Sequence, residues 1–292
     1  MSERDPREGK KPAPDVPTQP PPGVEKELKP LADHGESSYR GSDRLRGLSS
    51  IVTGGDSGIG RAVAIAFARE GADVAICYRD EVEEEDAAET CRLVEEAGRR
   101  CIARCIDVGN AGDARGFVDS VADEFDGLDI LVNNAAEHTS RQSIVDIPPE
   151  QLERTFRTNV FGAFYMIQAA LRHFGPGGVI LNTGSVTGLK GHPLLIDYAS
   201  TKGALHVLTQ SLAQSLSDKG IRVNCVAPGP VWTPLINSTF EQDEVRQFGT
   251  DTAWGRPAQP AELAPTFVFL ASAESRYVTG EVIAVTGGVT TR

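Results

Sequence analysis

Short apolar runs alternate with longer amphipathic segments along most of the chain. The apolar runs predict β-strands, and segments whose apolar residues recur every three or four positions predict α-helices. The predicted strands cover residues 48–53, 73–78, 101–106, 128–132, 178–183, 221–226 and 282–285. The predicted helices cover residues 59–70, 83–97, 111–125, 149–172 and 198–216. This alternation is typical of βαβ units. It predicts one α/β domain with a doubly wound parallel sheet of about seven strands and helices on both faces.

The N-terminal segment does not follow this pattern. Residues 1–47 contain 8 of the 18 prolines and only 9 hydrophobic residues. The run Pro20-Pro21-Pro22-Gly23 excludes a helix there. We therefore predict a proline-rich arm over residues 1–46, partly disordered, and a folded domain over residues 47–292. Leu31, Tyr39 and Leu45 would attach an extended arm to the domain, and plain disorder is the alternative.

The acidic charge lies in the folded domain. The formal net charge is −12, and residues 1–47 contribute none of it. An acidic surface disfavours nucleic acid as a partner, although backbone N–H groups can still hold a small phosphate ligand. The longest apolar run, residues 62–68, is far shorter than the roughly 20 residues of a membrane span. With no apolar leader segment, the sequence predicts a cytoplasmic protein without a membrane partner.

The five cysteines show no pattern of metal ligation or disulfide pairing. They are Cys77, Cys91, Cys101, Cys105 and Cys225, an odd number without a C-x-x-C pair. No group of Cys and His residues has zinc-ligand spacing. We expect reduced thiols and no metal site.

A glycine-rich turn follows the first predicted strand and begins the first predicted helix. It reads Thr53-Gly54-Gly55-Asp56-Ser57-Gly58-Ile59-Gly60. Glycine allows a tight turn and a close approach of the backbone to a ligand, and the N–H groups at the helix start can bind an anion. The strand–turn–helix context favours the pyrophosphate of a dinucleotide over a purely structural turn.

The G-x-x-x-G-x-G spacing, preceded by Thr53, resembles the short-chain dehydrogenase/reductase family. Other matches follow in the family's order from about residue 47 to the C-terminus. They are Asn133-Asn134-Ala135 (with Ala136 where the family has glycine), Asn159, Ser185, the pair Tyr198 and Lys202, and Pro228-Gly229. The resemblance implies a Rossmann-type fold.

The arm carries a finer resemblance. Gly23-Val24-Glu25, His34-Gly35-Glu36 and Ser38-Tyr39 resemble a bacterial subgroup of general-stress or glucose/ribitol-dehydrogenase-like oxidoreductases with a proline-rich N-terminal arm. The resemblance implies a homotetramer.

Tyr198 and Lys202 are the candidate catalytic pair. They lie four residues apart on a predicted helix, so both project from one face. A free tyrosine has a pKa of about 10, and we expect the Lys202 ammonium to lower it, so that the phenol can exchange a proton near neutrality. The resemblance implies that Ser185 holds the substrate oxygen, that Lys202 also binds ribose, and that Asn159 supports a proton relay.

The end of the second strand bears on the choice of cofactor. An acidic residue there suits the ribose of NAD, whereas arginine suits the 2′-phosphate of NADP. The chain has Tyr78 followed by Arg79, which favours NADP, and the acidic residues nearby leave NAD open. Together with the resemblance, this predicts the following cofactor contacts: Gly54, Asp56, Ser57, Gly58, Ile59, Gly60, Arg79, Asp107, Val108, Asn134, Tyr198, Lys202, Val231 and Thr233.

On this interpretation, the expected substrate is a small polar carbonyl or alcohol compound, such as an aldehyde, sugar or polyol. Residues 230–260 are too long for an ordinary connection and favour a lid or binding loop. His138 and His192 are candidates for the substrate pocket, whereas His173 and His206 have only helical positions. Two alternatives stay open: a reductase of carrier-bound 3-oxoacyl groups and a dinucleotide-sensing regulator without catalysis.

Overall fold

A seven-stranded parallel sheet forms the centre of the molecule. The computed structural model describes residues 5–12 and 16–290. The strands are β1 Ser49–Thr53, β2 Asp73–Tyr78, β3 Cys101–Cys105, β4 Ile130–Asn133, β5 Val179–Thr183, β6 Arg222–Pro228 and β7 Val282–Val285. Their order in the sheet is β3-β2-β1-β4-β5-β6-β7, with every neighbouring pair parallel. The chain changes direction across the sheet between β1 and β4, the point where open α/β sheets bind ligands.

Helices cover both faces of the sheet. They are α1 Gly58–Arg69, α2 Glu84–Glu96, α3 Ala111–Phe125, α4 Pro149–Phe156, α5 Gly162–Ala170, α6 Thr187–Lys190, α7 Ile196–Ser215, α8 Pro234–Thr239, α9 Gln242–Gln247 and α10 Ala264–Ala271. Phe67 of α1 and Phe267 of α10 belong to the core on one face, and Phe117 of α3 and Met166 of α5 to the core on the other. The predicted Rossmann-type α/β fold is confirmed. No helix in the described part of the chain is long and apolar enough to cross a membrane.

Two helical features differ from the prediction. The predicted helix over 149–172 is divided by a π-helical turn, Arg157–Phe161, between α4 and α5. Such single turns are frequent at functional sites, and this one contains Asn159. Helix α10 was not predicted, because its sequence APTFVFLA is apolar on all sides and lacks the polar face that produces helical periodicity.

The segment 230–260 folds into α8 and α9 and is covered by the N-terminal residues. Trp232 is completely buried in a small core with Val16, Leu28 and Val245. Its indole N–H donates to the Pro30 carbonyl at 2.8 Å. The two segments that break the sequence pattern therefore pack on each other. Predicted disorder of the arm falls partly on residues 1–4 and 13–15, which lie outside the described residues.

A disulfide joins α2 to β3. Cys91 and Cys101 are bonded, with their Cα atoms 5.2 Å apart. The prediction that all five cysteines are reduced is therefore wrong for this pair. The helix ends two residues before Gly98, whose positive φ turns the chain directly into β3, and this brings the two cysteines within disulfide range. Cys77, Cys105 and Cys225 are free thiols.

Candidate active site

One large cavity opens at the carboxyl end of the sheet. Its volume is about 830 Å³, within the range of sites for small molecules and cofactors. Nearly every residue predicted to bind cofactor or substrate lines it. These residues are Gly54, Asp56, Ser57, Gly58, Ile59, Arg79, Asp107, Val108, Asn134, Ser185, Tyr198, Lys202, Val231 and Thr233. Two predicted site residues, Gly60 and Asn159, do not line the cavity.

The glycine-rich turn has the shape that a pyrophosphate needs. Gly54 and Gly58 have φ values of +60° and +49°, in the left-handed region that favours glycine. A Cβ atom on Gly60 would lie 1.9 Å from the Gly54 carbonyl oxygen. Gly60 thus permits the close packing of helix on turn, which explains its absence from the cavity wall. Helix α1 begins at Gly58, and Gly58 and Ile59 line the cavity, so the N-terminal end of a 12-residue helix and its positive dipole face it.

Arg79, directly after β2, lines one end of the cavity. Its guanidinium is half exposed and pairs with Glu137, which also accepts from Arg154 at 2.8 Å. The Glu83 carboxylate accepts from the backbone N–H groups of Arg79 and Asp80, at 3.1 Å and 2.9 Å, and closes the turn after β2. Burial raises the pKa of Glu83, which reduces the repulsion that its carboxylate would exert on a nearby phosphate.

Asp56 is an acidic residue within the glycine-rich turn. Burial, followed by the charge of Glu83, raises its pKa to about 7. The raised pKa favours the protonated form of Asp56, which reduces the repulsion that its carboxylate would exert on a phosphate beside it. The turn and the end of β2 together fit a dinucleotide with or without a 2′-phosphate.

Tyr198 and Lys202 lie one turn apart on α7; Lys202 is buried, whereas Tyr198 lines the cavity and is partly exposed. The Lys202 ammonium donates to the Thr183 carbonyl at 2.7 Å and lies 5.4 Å from the centroid of the Tyr198 ring. Ser185 follows β5, and its hydroxyl accepts from the N–H and the hydroxyl of Thr187, at 3.1 Å and 2.9 Å. The Ser185 proton therefore remains available for donation into the site.

The predicted lowering of the Tyr198 pKa is wrong. Burial raises it to about 12, and the Ser185 hydroxyl opposes this only in part. Burial also lowers the pKa of Lys202 to about 8. Lys202 lies over the face of the ring and donates to Thr183, so its effect on the phenol is weaker than the desolvation.

Asn159 holds two elements together instead of lining the cavity. Its side-chain oxygen accepts from the Glu137 N–H at 2.8 Å. Its amide donates to the Glu137 carbonyl at 2.9 Å and to the Thr201 hydroxyl at 3.1 Å. These bonds fix the loop after β4 to α7 near Tyr198. A role of Asn159 in proton relay stays a prediction.

The four histidines named from the sequence have different positions. His138 and His192 line the cavity. His173 pairs with Asp119 at 2.7 Å, away from the cavity. His206 lies on α7. The Ser185 backbone N–H donates to its Nε2 atom at 3.5 Å, so His206 helps to hold the chain that follows β5. The expectation of a merely helical position thus misses the contact of His206.

The N-terminal arm supplies residues to the site that were not predicted from the sequence. Pro21 and Pro22 line the cavity. The buried Glu25 carboxylate accepts from the Gly58 N–H at 2.8 Å and pairs with His34 at 3.1 Å. His34 also pairs with Glu36 at 2.8 Å. The arm motifs that contain Glu25 and His34 could be recognised in the sequence, but their contact with the glycine-rich turn at Gly58 could not.

A second ion pair completes this contact. The Glu25 N–H donates to the Asp86 carboxylate at 2.6 Å, and Asp86 pairs with Arg61 at 3.3 Å. Arg61 also donates to the Asp56 carbonyl at 2.9 Å. We call the cluster of Glu25, His34, Asp86 and Arg61 the arm seat. It joins the arm to the glycine-rich turn and to both helices beside it.

Comparison with known proteins decides the family. A family described as enoyl-(acyl carrier protein) reductase matches residues 54–290. A crystal structure of a short chain dehydrogenase from Burkholderia cenocepacia J2315 in complex with NADP is similar, with a TM-score of 0.78 and 35% identity. The similarity covers 84% of this chain and 98% of that one. The chain belongs to the short-chain dehydrogenase/reductase family. It is an NAD(P)-dependent oxidoreductase of that family.

Curated relatives within the family include the subgroup expected from the arm. General stress protein 39 of Bacillus subtilis (strain 168) is 49% identical over 267 residues, 91% of this chain and 93% of the relative. Glucose and ribitol dehydrogenase of Daucus carota is 45% identical over 271 residues, 91% and 93% of the two chains. NADPH-dependent aldehyde reductase 1, chloroplastic, of Arabidopsis thaliana is 44% identical over 272 residues, 91% and 94% of the two chains.

Proposed function

We propose that this protein transfers a hydride between NADP(H) and the carbonyl or alcohol carbon of a small polar substrate, an aldehyde, sugar or polyol. The observation that carries the proposal is the convergence of Ser185, Tyr198 and Lys202 on one wall of the cavity that also contains the glycine-rich turn. The nicotinamide supplies or accepts the hydride when it is bound. The names of the carrot and Arabidopsis relatives support a sugar, polyol or aldehyde as substrate.

Tyr198 acts as the general acid in this proposal. With a pKa raised to about 12 by burial, its phenol is protonated at neutral pH and can give a proton to an oxygen that gains negative charge. Ser185 donates to the same oxygen and orients it. Lys202 holds the ribose and stabilises the phenolate left after proton transfer.

Arg79 is the basis for the preference for NADP over NAD. Its guanidinium lies at the end of β2, where a 2′-phosphate would contact it, and it would exchange Glu137 for that phosphate. The Burkholderia structure with NADP supports this choice.

A reductase of carrier-bound acyl groups is the second candidate, favoured by the description of the matching family. An acyl carrier protein binds through an acidic surface, and a chain with a net charge of −12 would repel it. A regulator without catalysis would not require Tyr198 and Lys202 to be placed together. Both observations support the small-molecule enzyme.

The assembly and the location belong to the same proposal. The exposed apolar side chains Leu152, Phe161 and Phe164 on the α4–α5 face, and Val207 on α7, suit a homotetramer interface, because they are 42–62% exposed in the single chain. A cytoplasmic location stays a prediction, and the Cys91–Cys101 disulfide does not support it, because a reducing compartment disfavours such bonds.

The variant Tyr198→Phe tests the proposal. We expect kcat for reduction of an aldehyde panel by NADPH to fall about 10²–10⁴-fold, because the ring is kept and only the acid is lost. NADPH binding, measured by fluorescence, should stay within a few fold. Tyr277→Phe, at a completely exposed tyrosine, is the matched control. Retained turnover in Tyr198→Phe would contradict the assignment.

A further inference from the structure

His138 is a buried histidine at the substrate end of the cavity without a role in the mechanism above. Its ring centroid lies 5.0 Å from that of Tyr198 and 5.3 Å from that of Phe240, with edge-on geometry in both contacts. Phe240 directly follows α8, so His138 lies between the catalytic tyrosine and the segment that covers the site. The preceding residue, Glu137, is held through its backbone by Asn159, which fixes the position of His138.

The hydrogen bonds around His138 determine which ring nitrogen carries the proton. Its Nδ1 lies 3.2 Å from the hydroxyl oxygen of Thr239. The Thr239 hydroxyl donates its single proton to the Leu235 carbonyl, so towards His138 it can only accept. Burial lowers the pKa of His138 to about 3, so the ring is neutral and has one N–H. The bond network therefore assigns that proton to Nδ1 and leaves a lone pair on Nε2.

The lone pair on Nε2 is available to a ligand. Among the described residues, no donor is bonded to Nε2, and the atom is not among the sealed, unpartnered polar atoms of the interior. His138 lines the same cavity as Ser185 and Tyr198. Tyr198 and Phe240 flank the ring edge-on, and Lys202 and His192 are the nearby groups that carry or can carry positive charge, so a neutral hydrogen-bond donor of the substrate would meet Nε2 as an acceptor in a partly desolvated place.

We propose that Nε2 of His138 accepts a hydrogen bond from a substrate hydroxyl near the reacting carbonyl, and so selects hydroxyaldehydes, sugars and polyols over simple aldehydes. The inference rests on the proposed function and adds the group that recognises the substrate. A site with a fixed acceptor discriminates against an analogue without the hydroxyl, because the acceptor then loses its partner in a desolvated place.

A pair of three-carbon aldehydes tests this, since glyceraldehyde and propanal differ only in two hydroxyl groups. In His138→Phe, which keeps a ring between Tyr198 and Phe240, we expect the ratio of kcat/KM for glyceraldehyde to that for propanal to fall about 10- to 100-fold. His138→Gln places an amide oxygen within reach of the Nε2 position and should restore part of the preference. Circular dichroism establishes that the variants are folded.

The possible results separate this inference from the proposed function. If the wild-type protein reduces neither aldehyde with NADPH or NADH, the proposed function fails and the inference with it. If both are reduced but His138→Phe leaves their kcat/KM ratio unchanged, only the role of His138 is wrong. An equal loss for both aldehydes in His138→Phe and His138→Gln would show that His138 is only structural and would also overturn the inference.

Discussion

Two polar clusters lie beside the cofactor cavity, and they differ in whether other protein groups compensate their charges: the catalytic cluster of Tyr198 and Lys202, and the arm seat. In the catalytic cluster, burial raises the pKa of Tyr198 and lowers that of Lys202, so both side chains shift towards the neutral form. In the arm seat burial acts against charge too, but the His34 charge lowers the pKa of Glu25, and the Glu25 carboxylate raises that of His34. The arm seat is thus a set of paired charges within the protein.

This difference distinguishes a cluster that binds a ligand from a cluster that stabilises the fold. Buried groups that lack a protein counter-charge gain most when a ligand supplies a partner, which is the situation of Lys202 and Tyr198. Buried groups that are already paired gain nothing from a ligand, but they lose much when one partner is removed. We therefore expect changes in the catalytic cluster to alter rate, and changes in the arm seat to alter stability and the shape of the glycine-rich turn.

The largest expected effect is that of Lys202→Met on catalysis. We expect kcat/KM to fall about 10²–10⁴-fold, because the phenolate formed at Tyr198 loses its stabilising charge. The melting temperature should not fall, since the variant removes a buried charge without a carboxylate partner. Lys219→Met, at an exposed lysine, controls for loss of charge alone. A large loss of stability in Lys202→Met would break the distinction between the clusters.

The variant His34→Ala should have the opposite profile. It leaves the Glu25 carboxylate buried without its main counter-charge, which should lower the free energy of unfolding by about 3–5 kcal/mol. The Kd for NADPH should rise, because Glu25 holds the Gly58 N–H, whereas kcat at saturating cofactor should stay near that of the wild type. Urea unfolding and fluorescence titration measure the two effects.

His173→Ala is the control for that variant, because His173 pairs with Asp119 at the surface. We expect it to change stability by less than about 1 kcal/mol. Equal losses in the two histidine variants would show that the arm seat does not differ from an ordinary surface pair.

Arg79→Ala should have a smaller effect that is specific for the cofactor. Loss of a guanidinium–phosphate contact should weaken NADPH binding about tenfold and leave NADH binding nearly unchanged. The readout is the ratio of the Kd for NADPH to the Kd for NADH. Arg172→Ala is the control, because Arg172 is exposed and does not line the cavity. An equal loss for both cofactors would remove the basis for the NADP preference.

The smallest expected effects are two opposite pH slopes of stability. The raised pKa of His34 means that its contribution is complete below about pH 6.5 and is lost as pH rises through the raised value. Lys202 has its pKa lowered to about 8, so the folded state binds fewer protons between about pH 8 and 10.5, and stability rises with pH there. Differences in unfolding free energy between the wild type and His34→Gln or Lys202→Met should show these slopes, and slopes of the same sign would contradict the comparison.

The sequence was sufficient where the chemistry depends on short, fixed spacings. Tyr198 and Lys202 lie one helical turn apart, and the glycine-rich turn is one continuous motif, so both could be located before any fold was known. The parallel sheet followed from the alternation of apolar and amphipathic segments. Long-range contacts had no such spacing: Glu25 meets Gly58 from 33 residues away and Asp86 from 61.

Other features depended on three-dimensional geometry. The disulfide of Cys91 and Cys101 arises from a helix that folds back onto β3, and ten residues of spacing do not predict that direction. The structural role of Asn159, which joins the loop after β4 to α7, depends on a π-helical turn, and no sequence pattern indicates that turn. The pKa of Tyr198 was predicted with the wrong sign, because the degree of burial was not known and outweighs the effect of Lys202.

Transfer of a labelled hydride is the most direct test of the central claim. The protein is incubated with glyceraldehyde and with NADPH that carries deuterium at both hydrogen positions of nicotinamide C4, and the alcohol product is analysed by mass spectrometry. The account predicts one deuterium on the former carbonyl carbon with the wild-type protein and labelled product formed about 10²–10⁴-fold more slowly with Tyr198→Phe. Absence of labelled product from the wild-type protein, across sugars and aldehydes at saturating cofactor, would contradict it.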